Sequence, residues 1–206
     1  MSSWVLASGG NEFSDDYKEA DLKALSLRTD PNSEILVIVT APFPTQDLAY
    51  ETAKNYFTSI GIKTKKSNIL SHEDINSSNL KELENAQSIY FAGGTPSRLT
   101  KAFINTNAEE SLRTAIENGS VIMGSSAGAM LFGKKVIMPS GQDLGPGLNL
   151  LKEQIVLAHF SGAWPSWTKG YREQGFGLLG LSEGGSVLTS VTNKTESLEF
   201  GKVFSL

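Results

Sequence analysis

The chain of 206 residues contains no cysteine and only two histidines. Without cysteine it can form neither a disulfide framework nor a thiolate nucleophile. His72 and His159 are far apart in the sequence and belong to no H-E-x-x-H or comparable cluster, which disfavours a catalytic zinc site. Gly9-Gly10 lacks the dinucleotide-binding and P-loop patterns as well, so we expect no metal and no cofactor.

A basic stripe, a long apolar segment and a linker are also missing from the sequence. The formal net charge is -4 with both signs interspersed, so we expect no nucleic-acid partner. No apolar segment is long enough for a membrane helix and no charged-then-apolar leader is present, which predicts a cytoplasmic protein without a membrane partner. Because no Pro- or Ser-rich linker or repeat divides residues 1–206, we predict a single domain, and a homodimer stays open.

Short apolar runs alternate with amphipathic segments along the chain. Buried strands are predicted at Trp4–Ala7, Ile35–Val39, Ser88–Ala92, Val121–Met123, Gln154–Ala158 and Val187–Val191. Helices are predicted at Gln46–Ile60, with Leu48 on its apolar face, and at Asn79–Asn85, Pro96–Ile104 and Glu109–Asn118. This alternation favours an α/β fold with a mostly parallel sheet and helices on both faces. Residues 197–205 predict two short strands linked by a turn.

The segment Gly124–Gly128 reads Gly-Ser-Ser-Ala-Gly and stands between an apolar run and a helical segment. A G-x-S-x-G nucleophile elbow requires this context of strand, turn and helix, although the same small residues also occur in ordinary turns and phosphate-binding loops. Glycines lack a Cβ, so the backbone can hold the central Ser126 in a strained conformation that points toward substrate. Ser126 is therefore the predicted nucleophile, and Ser125 is expected to pack or bond locally. The N–H of Ala127 could donate to an oxyanion.

A serine nucleophile needs a base, and only two histidines are candidates. His72 lies in a polar stretch and is expected to be a solvated loop or helix-cap residue. His159 follows the apolar run Gln154–Ala158, which is typical of a buried parallel strand. Because ligand sites in open α/β sheets lie outside the carboxyl ends of the strands, His159 is the predicted general base.

Two carboxylates are candidates for the third residue, which would orient the base. Glu183 stands in a Gly-rich apolar setting just before a predicted strand. Asp143 stands in a loop between the nucleophile helix and the histidine strand. Either could be a solvated turn residue. We favour Glu183, since an acid among apolar residues is costly unless it has a partner.

Five segments together resemble the peptidase E (aspartyl dipeptidase) and cyanophycinase family of serine exopeptidases. They occur in the family's order at Phe91–Pro96, Gly124–Ala129, Ala158–Phe160, Tyr171–Gln174 and Gly180–Gly184. The combination is specific even though each segment alone is not. The resemblance implies one peptidase E-like catalytic domain with a class I glutamine amidotransferase-like, flavodoxin-like three-layer sandwich, in which serine replaces the cysteine nucleophile of that group.

The resemblance also implies roles for individual residues. Ser126 takes the place of the nucleophile and His159 that of the base, while Gly94 would supply the second oxyanion N–H beside Ala127. Gly93 and Gly94 follow an apolar run, so the residues themselves predict a strand-end turn that allows close backbone approach to substrate. Gly93 is accordingly a candidate substrate-binding residue.

Arg172 falls where the family carries an arginine suited to an acidic substrate, and a guanidinium can bind a carboxylate bidentately. The alternative for Arg172 is a surface residue paired with an acid such as Glu173. The stretch Ala163–Trp167 is more aromatic than the family's pattern. Its two tryptophans either line the cleft or pack beneath a loop.

Glu183 matches the glutamate that some family members use as the third residue, whereas Asp143 can be matched to the aspartate of other members only with a small shift. The prediction is thus a serine exopeptidase that cleaves short peptides, such as dipeptides with N-terminal Asp, through a Ser-His-Glu triad and an acyl-enzyme. One alternative is an esterase or other acyl hydrolase, since the same triad cleaves esters. Ser126, Asp143 and His159 would even follow the chain order of α/β-hydrolases. Another is a catalytically silent protein that binds an acidic ligand through Arg172.

Overall fold

A seven-stranded sheet forms the centre of the computed structural model, which describes residues 3–140, 143–191 and 196–206. Five neighbouring strands run parallel, in the order β1 (Trp4–Ser8), β5 (Val121–Ser125), β4 (Ser88–Phe91), β2 (Ile35–Ile38) and β3 (Thr64–Lys66). Two antiparallel strands extend the sheet beyond β1, namely β10 (Ser186–Ser190) and β11 (Ser197–Phe200). The carboxyl ends of β1, β5 and β4 therefore lie side by side at one edge.

A second sheet of five strands contains the later part of the chain. Its order is β12 (Val203–Ser205), β9 (Gly177–Leu181), β8 (Gln154–Leu157), β6 (Lys135–Ile137) and β7 (Leu144–Pro146). The central pair, β8 and β9, is parallel, and β12 and β7 are antiparallel to their neighbours. The parallel pair brings the segments that follow β8 and β9 to the same edge.

Helices cover both faces of the first sheet. They are α1 (Lys18–Leu25), α2 (Gln46–Ser59), α3 (Ser77–Asn85), α4 (Pro96–Phe103), α5 (Asn107–Glu117) and α6 (Ala127–Leu131). A further helix, α7 (Thr168–Glu173), packs against the second sheet. Across the described residues, none of these helices has the length and apolar character needed to cross a membrane.

The core is divided by the first sheet into two apolar layers, as strand alternation requires. On β4, Ile89 and Phe91 face one layer, which contains α3 to α6 and part of the second sheet. Tyr90 faces the other layer, which contains α1 and α2. This arrangement confirms the predicted α/β fold, with its mostly parallel sheet between layers of helices.

Most predicted elements agree with the observed ones to within two residues. Two expectations were wrong, and several observed elements were not predicted. The two tail strands do not pair with each other, because β11 joins the first sheet and β12 the second. Leu48 is 67% exposed, so its place on the apolar face of α2 was wrong. The helices α1 and α7 and the strands β3, β6, β7 and β9 were not predicted. The apolar residues of α1 show little helical periodicity.

Asp21 on α1 is a buried acid that we expect to make stability depend on pH. Its carboxylate accepts a hydrogen bond of 2.7 Å from the Tyr56 hydroxyl, and burial raises its pKa to about 7. An unfolded Asp ionises near pH 4, so the folded chain holds the extra proton between about pH 4 and 7. The stability due to this protonated form is present at pH 4 and is lost as the pH rises toward 7.

Replacing Asp21 by Asn removes the ionisation and keeps an oxygen that can accept from Tyr56. We expect Asp21→Asn to raise the free energy of unfolding at pH 8 by roughly 2–4 kcal/mol. At pH 4 the difference should be under about 1 kcal/mol. Urea unfolding followed by circular dichroism at both pH values measures this, with the exposed Asp16→Asn as a control. An equal effect of Asp21→Asn at the two pH values would refute the titration.

Candidate active site

Ser126 lies at the turn between β5 and α6, at the carboxyl edge of the parallel sheet. Its backbone has φ 51° and ψ -114°, which residues with a side chain rarely adopt. The Ser126 N–H donates to the Ser8 carbonyl at 3.0 Å, which ties the turn to β1. A Cβ on Gly128 would stand 2.1 Å from the Phe91 carbonyl oxygen, so the turn requires glycine there. The segment thus has the context of a nucleophile elbow.

His159 follows β8 and connects the second sheet to the first. Its N–H donates to the Gly9 carbonyl at 2.8 Å, and its own φ is 52°. The imidazole packs directly against Gly10. A side chain at this position would clash with the ring, because its Cβ would lie only 2.0 Å from Cε1. In this position His159 Nε2 is 2.9 Å from Ser126 Oγ.

Glu183 completes the chain of hydrogen bonds. Its Oε1 is 2.5 Å from His159 Nδ1. The two residues meet because they follow parallel neighbours, β8 and β9, in which Leu157 pairs with Gly180. When Nδ1–H donates to the carboxylate, Nε2 is left free to accept the proton of Ser126 Oγ–H.

The alternative acid, Asp143, lies elsewhere. It is exposed near the start of β7, where its Oδ2 accepts a hydrogen bond of 3.1 Å from the Ser140 hydroxyl. Among the described residues, no hydrogen bond or ion pair joins Asp143 to His159. Of the two carboxylates left open by the sequence, the structure brings Glu183 and not Asp143 to the histidine.

Tyr17, which the sequence did not indicate as a site residue, connects the backbone segments that support His159 and Glu183. Its buried hydroxyl accepts hydrogen bonds from Gly10 N–H at 3.0 Å and Gly184 N–H at 2.8 Å, and it donates to the Gly10 carbonyl. Burial raises the pKa of Tyr17, which keeps the hydroxyl neutral and able to donate. One side chain thereby fixes the turn beneath the imidazole relative to the residue after Glu183.

Two backbone N–H groups are the predicted oxyanion donors. Ala127 follows Ser126 directly, and Gly94 follows β4, which is the neighbour of β5. Within residues 3–140, 143–191 and 196–206, neither N–H donates to a protein acceptor. Stabilisation of an oxyanion requires such unpaired backbone donors.

The N–H of Gly93, by contrast, is paired with an acid. It donates to both oxygens of the Glu12 carboxylate, at 3.1 Å to Oε1 and 2.9 Å to Oε2. A Cβ on Gly93 would lie 3.1 Å from Ser126 Cβ and 3.3 Å from Glu12 Oε1. The carboxylate therefore stands next to the nucleophile, at the Gly93 turn that follows β4.

Glu12 is held by an anchored turn. The next residue, Phe13, has φ 64° and packs its ring against Tyr56, Phe57 and Tyr90, with centroids 5.1–6.0 Å away. Burial raises the pKa of Glu12 to about 7; the Gly93 N–H opposes this and the negative charge of Asp21 adds to it. No lysine or arginine forms an ion pair with Glu12 in the described part of the chain.

The other predicted residues lie farther from this cluster. Arg172 is exposed on α7, and across the described residues it forms no hydrogen bond or ion pair with the side chains of Ser126, His159 or Glu183. Its predicted role is therefore not visible in the contacts.

Trp164 and Trp167 pack on the outer face of the second sheet, where the Trp164 ring is 4.3 Å from that of Phe160. The second interpretation of the aromatic stretch, packing, is the correct one. His72 is exposed at the start of a short 3-10 helix, as expected of a solvated residue. In the three described stretches, no group of three or more acidic or histidine side chains is placed to hold a metal ion.

Ser126, His159 and Glu183 form a hydrogen-bonded series on an α/β scaffold, which is the arrangement of serine hydrolases. The model of peptidase family S51 matches residues 4–188. The chain belongs to this family and is a serine-type peptidase. No curated protein gives a significant match to the sequence.

Two solved structures share the fold. A peptidase from an acI-B1 Actinobacterium superposes with a TM-score of 0.82 at 17% identity, covering 100% of this chain and 94% of that one. A protein assigned as peptidase E from Listeria monocytogenes EGD-e superposes with a TM-score of 0.65 at 16% identity, covering 100% and 98%. At these identities the similarity establishes the fold alone.

Proposed function

We propose that the protein is an exopeptidase that releases the N-terminal residue of short peptides through a Ser126-His159-Glu183 triad. The observation that carries this proposal is the unbroken series of hydrogen bonds from Ser126 Oγ to His159 and from His159 to Glu183. Membership of family S51 adds the class of bond, a peptide bond.

In the first half of the reaction, Ser126 Oγ attacks the scissile carbonyl carbon while His159 Nε2 takes the hydroxyl proton. Glu183 holds the Nδ1–H tautomer and stabilises the imidazolium that forms. The carbonyl oxygen becomes an oxyanion and accepts hydrogen bonds from Gly94 N–H and Ala127 N–H. The C–N bond breaks as His159 returns the proton to the leaving amine.

The acyl-enzyme is an ester of Ser126. Water enters in place of the amine, gives a proton to His159 and attacks the ester carbonyl. The C–O bond to Ser126 then breaks, and the proton held by His159 passes to the serine oxygen. The released products are one amino acid and the shortened peptide, and the enzyme is restored without a cofactor.

We further propose a preference for N-terminal Asp among dipeptide substrates. This preference is supported by the resemblance of Tyr171–Gln174 to the family's arginine segment and by the exposed Arg172 guanidinium, which forms no ion pair among the described residues. A free guanidinium is suited to a substrate carboxylate.

A panel of Asp-Leu, Asn-Leu, Ala-Leu and p-nitrophenyl acetate tests this function. We expect kcat/KM for Asp-Leu to exceed that for Asn-Leu at least about tenfold, because Asn is nearly isosteric but lacks the charge that Arg172 would bind. Arg172→Met should reduce this ratio, and Lys169→Met is a control on the same helix. Equal rates on Asp-Leu and Asn-Leu would remove the Asp preference, and hydrolysis of the ester alone would favour an esterase.

A further inference from the structure

We propose that the Glu12 carboxylate binds the α-ammonium group of the substrate's N-terminal residue. This inference rests on the proposed exopeptidase function and names the residue that makes the enzyme act at a free N-terminus. It concerns a residue outside the Ser126-His159-Glu183 series.

The position of Glu12 relative to the nucleophile is the first reason. If Gly93 had a Cβ, that atom would lie 3.1 Å from Ser126 Cβ and 3.3 Å from Glu12 Oε1. The serine and the carboxylate are therefore neighbours. In an N-terminal residue the ammonium nitrogen is separated from the attacked carbonyl carbon by a single Cα atom. A carbonyl placed for attack, about 3 Å from Ser126 Oγ, therefore brings the ammonium close to this carboxylate.

The order of the strands is the second reason. β5 carries Ser126 and lies between β1 and β4. His159 is bound on the β1 side through Gly9, whereas Glu12 is bound on the β4 side through Gly93. Because His159 protonates the leaving amine, the leaving group lies on the β1 side. The acyl residue and its ammonium are left on the side of Glu12.

The charge at this position is the third reason. Glu12 is half-buried, and no lysine or arginine pairs with it within the described ranges. An unpaired carboxylate in such a place is unfavourable, and burial accordingly raises its pKa to about 7. A substrate ammonium supplies the missing cation and stabilises the ionised carboxylate. A peptide without that charge leaves the carboxylate unpaired, so it binds more weakly.

Glu12 is also held in place before substrate arrives. Both carboxylate oxygens accept from Gly93 N–H, and Phe13 anchors the turn in an aromatic cluster. A binding group with a fixed geometry loses little conformational entropy when the ligand binds. These contacts hold the Glu12 carboxylate in a fixed position, unlike a mobile acid on the surface. The site is therefore preorganised for an ammonium group.

Binding of two matched ligands tests the proposal independently of catalysis. Asp-Leu and succinyl-Leu differ only in the α-ammonium, and calorimetry on the Ser126→Ala protein measures the affinity for each. We expect Asp-Leu to bind about 10- to 100-fold more tightly than succinyl-Leu, as a charge-assisted hydrogen bond allows. Introducing Glu12→Gln should bring this ratio close to one, and Glu12→Asp should give an intermediate ratio.

The control is Glu19→Gln, which removes the same charge from an exposed position on α1 and should preserve the ratio. Circular dichroism verifies that each variant is folded, and Glu12→Asp supplies the test if the Gln variant is not. Equal affinity for the two ligands, no binding of either, or an unchanged ratio in Glu12→Gln would overturn the proposal. Glu12-dependent binding of Asp-Leu without its hydrolysis by the wild-type protein would instead uphold the ammonium site and refute the exopeptidase function.

Discussion

Replacing Ser126 by Ala is expected to reduce peptide turnover by about a thousandfold or more while the protein stays folded. The change removes the oxygen that lies 2.9 Å from His159 Nε2, and no other hydroxyl of the described residues bonds to that nitrogen. The fold should tolerate the change because the Ser126 main-chain contacts to Ser8 and Met130 do not use the side chain. Initial rates on Asp-Leu, with circular dichroism on the same samples, measure both effects.

Ser125→Ala is the matched control for this experiment. Ser125 is adjacent and fully buried, and its Oγ has no hydrogen-bond partner in the described part of the chain. Loss of that hydroxyl breaks no contact of His159, so turnover should stay within about threefold of wild type. Near-wild-type turnover in a folded Ser126→Ala protein, or an equal loss in Ser125→Ala, would contradict the assignment of the nucleophile.

Glu183→Gln is the second change with a large expected effect. The amide can still contact His159 Nδ1, but it can present its NH2 group to the ring and stabilise the wrong tautomer. It also lacks the charge that stabilises the imidazolium. We expect kcat for Asp-Leu to fall by about a hundredfold or more with a smaller change in KM. The lost interaction stabilises the transition state more than the bound substrate.

The variant Asp143→Asn tests which of the two candidate acids, Asp143 or Glu183, acts with His159. Asp143 is exposed and its carboxylate accepts a hydrogen bond from Ser140, so its neutral variant should keep turnover within about threefold of wild type. Steady-state kinetics on both variants decide between them. A large loss in Asp143→Asn together with a small loss in Glu183→Gln would reverse the choice of triad acid.

The fold could be predicted where the sequence carries strong periodicity. Continuous apolar runs such as Ile35–Val39 predicted buried parallel strands, and the structure has β2 at Ile35–Ile38. Three-residue strands such as β3 and β6 are too short to show a period. Whether β11 and β12 join the same sheet depends on which sheet has an unpaired edge strand. That is a property of the tertiary structure, and the local sequence pattern does not reveal it.

Part of the site was identifiable because the chain offers so few alternatives. One elbow segment and two histidines left little freedom in choosing Ser126 and His159. The acid could not be chosen with the same certainty, since the contact of Glu183 with His159 arises from the pairing of β8 with β9 in the second sheet. Sequence spacing alone does not specify that pairing.

Glu12 illustrates what sequence reasoning missed. It lies in the acid-rich stretch Asn11–Asp16, which by composition resembles a solvated loop. Only the burial of Phe13 against α2 and β4, together with the neighbouring ends of β1 and β4, brings the Glu12 carboxylate to Gly93. The one available signal was its position shortly after the first strand, whose carboxyl end is a common place for ligand sites.

The most direct test of the proposed function is intact-protein mass spectrometry after treatment with a fluorophosphonate, which reacts with activated serines. His159 and Glu183 have side chains 53% exposed, so the reagent has access to the site. We predict one adduct on wild-type protein, located at Ser126 by peptide mapping, and its loss in Ser126→Ala and His159→Ala. An adduct that persists in the folded Ser126→Ala protein, or no adduct on folded wild type with this or a smaller sulfonyl fluoride, would contradict an activated Ser126.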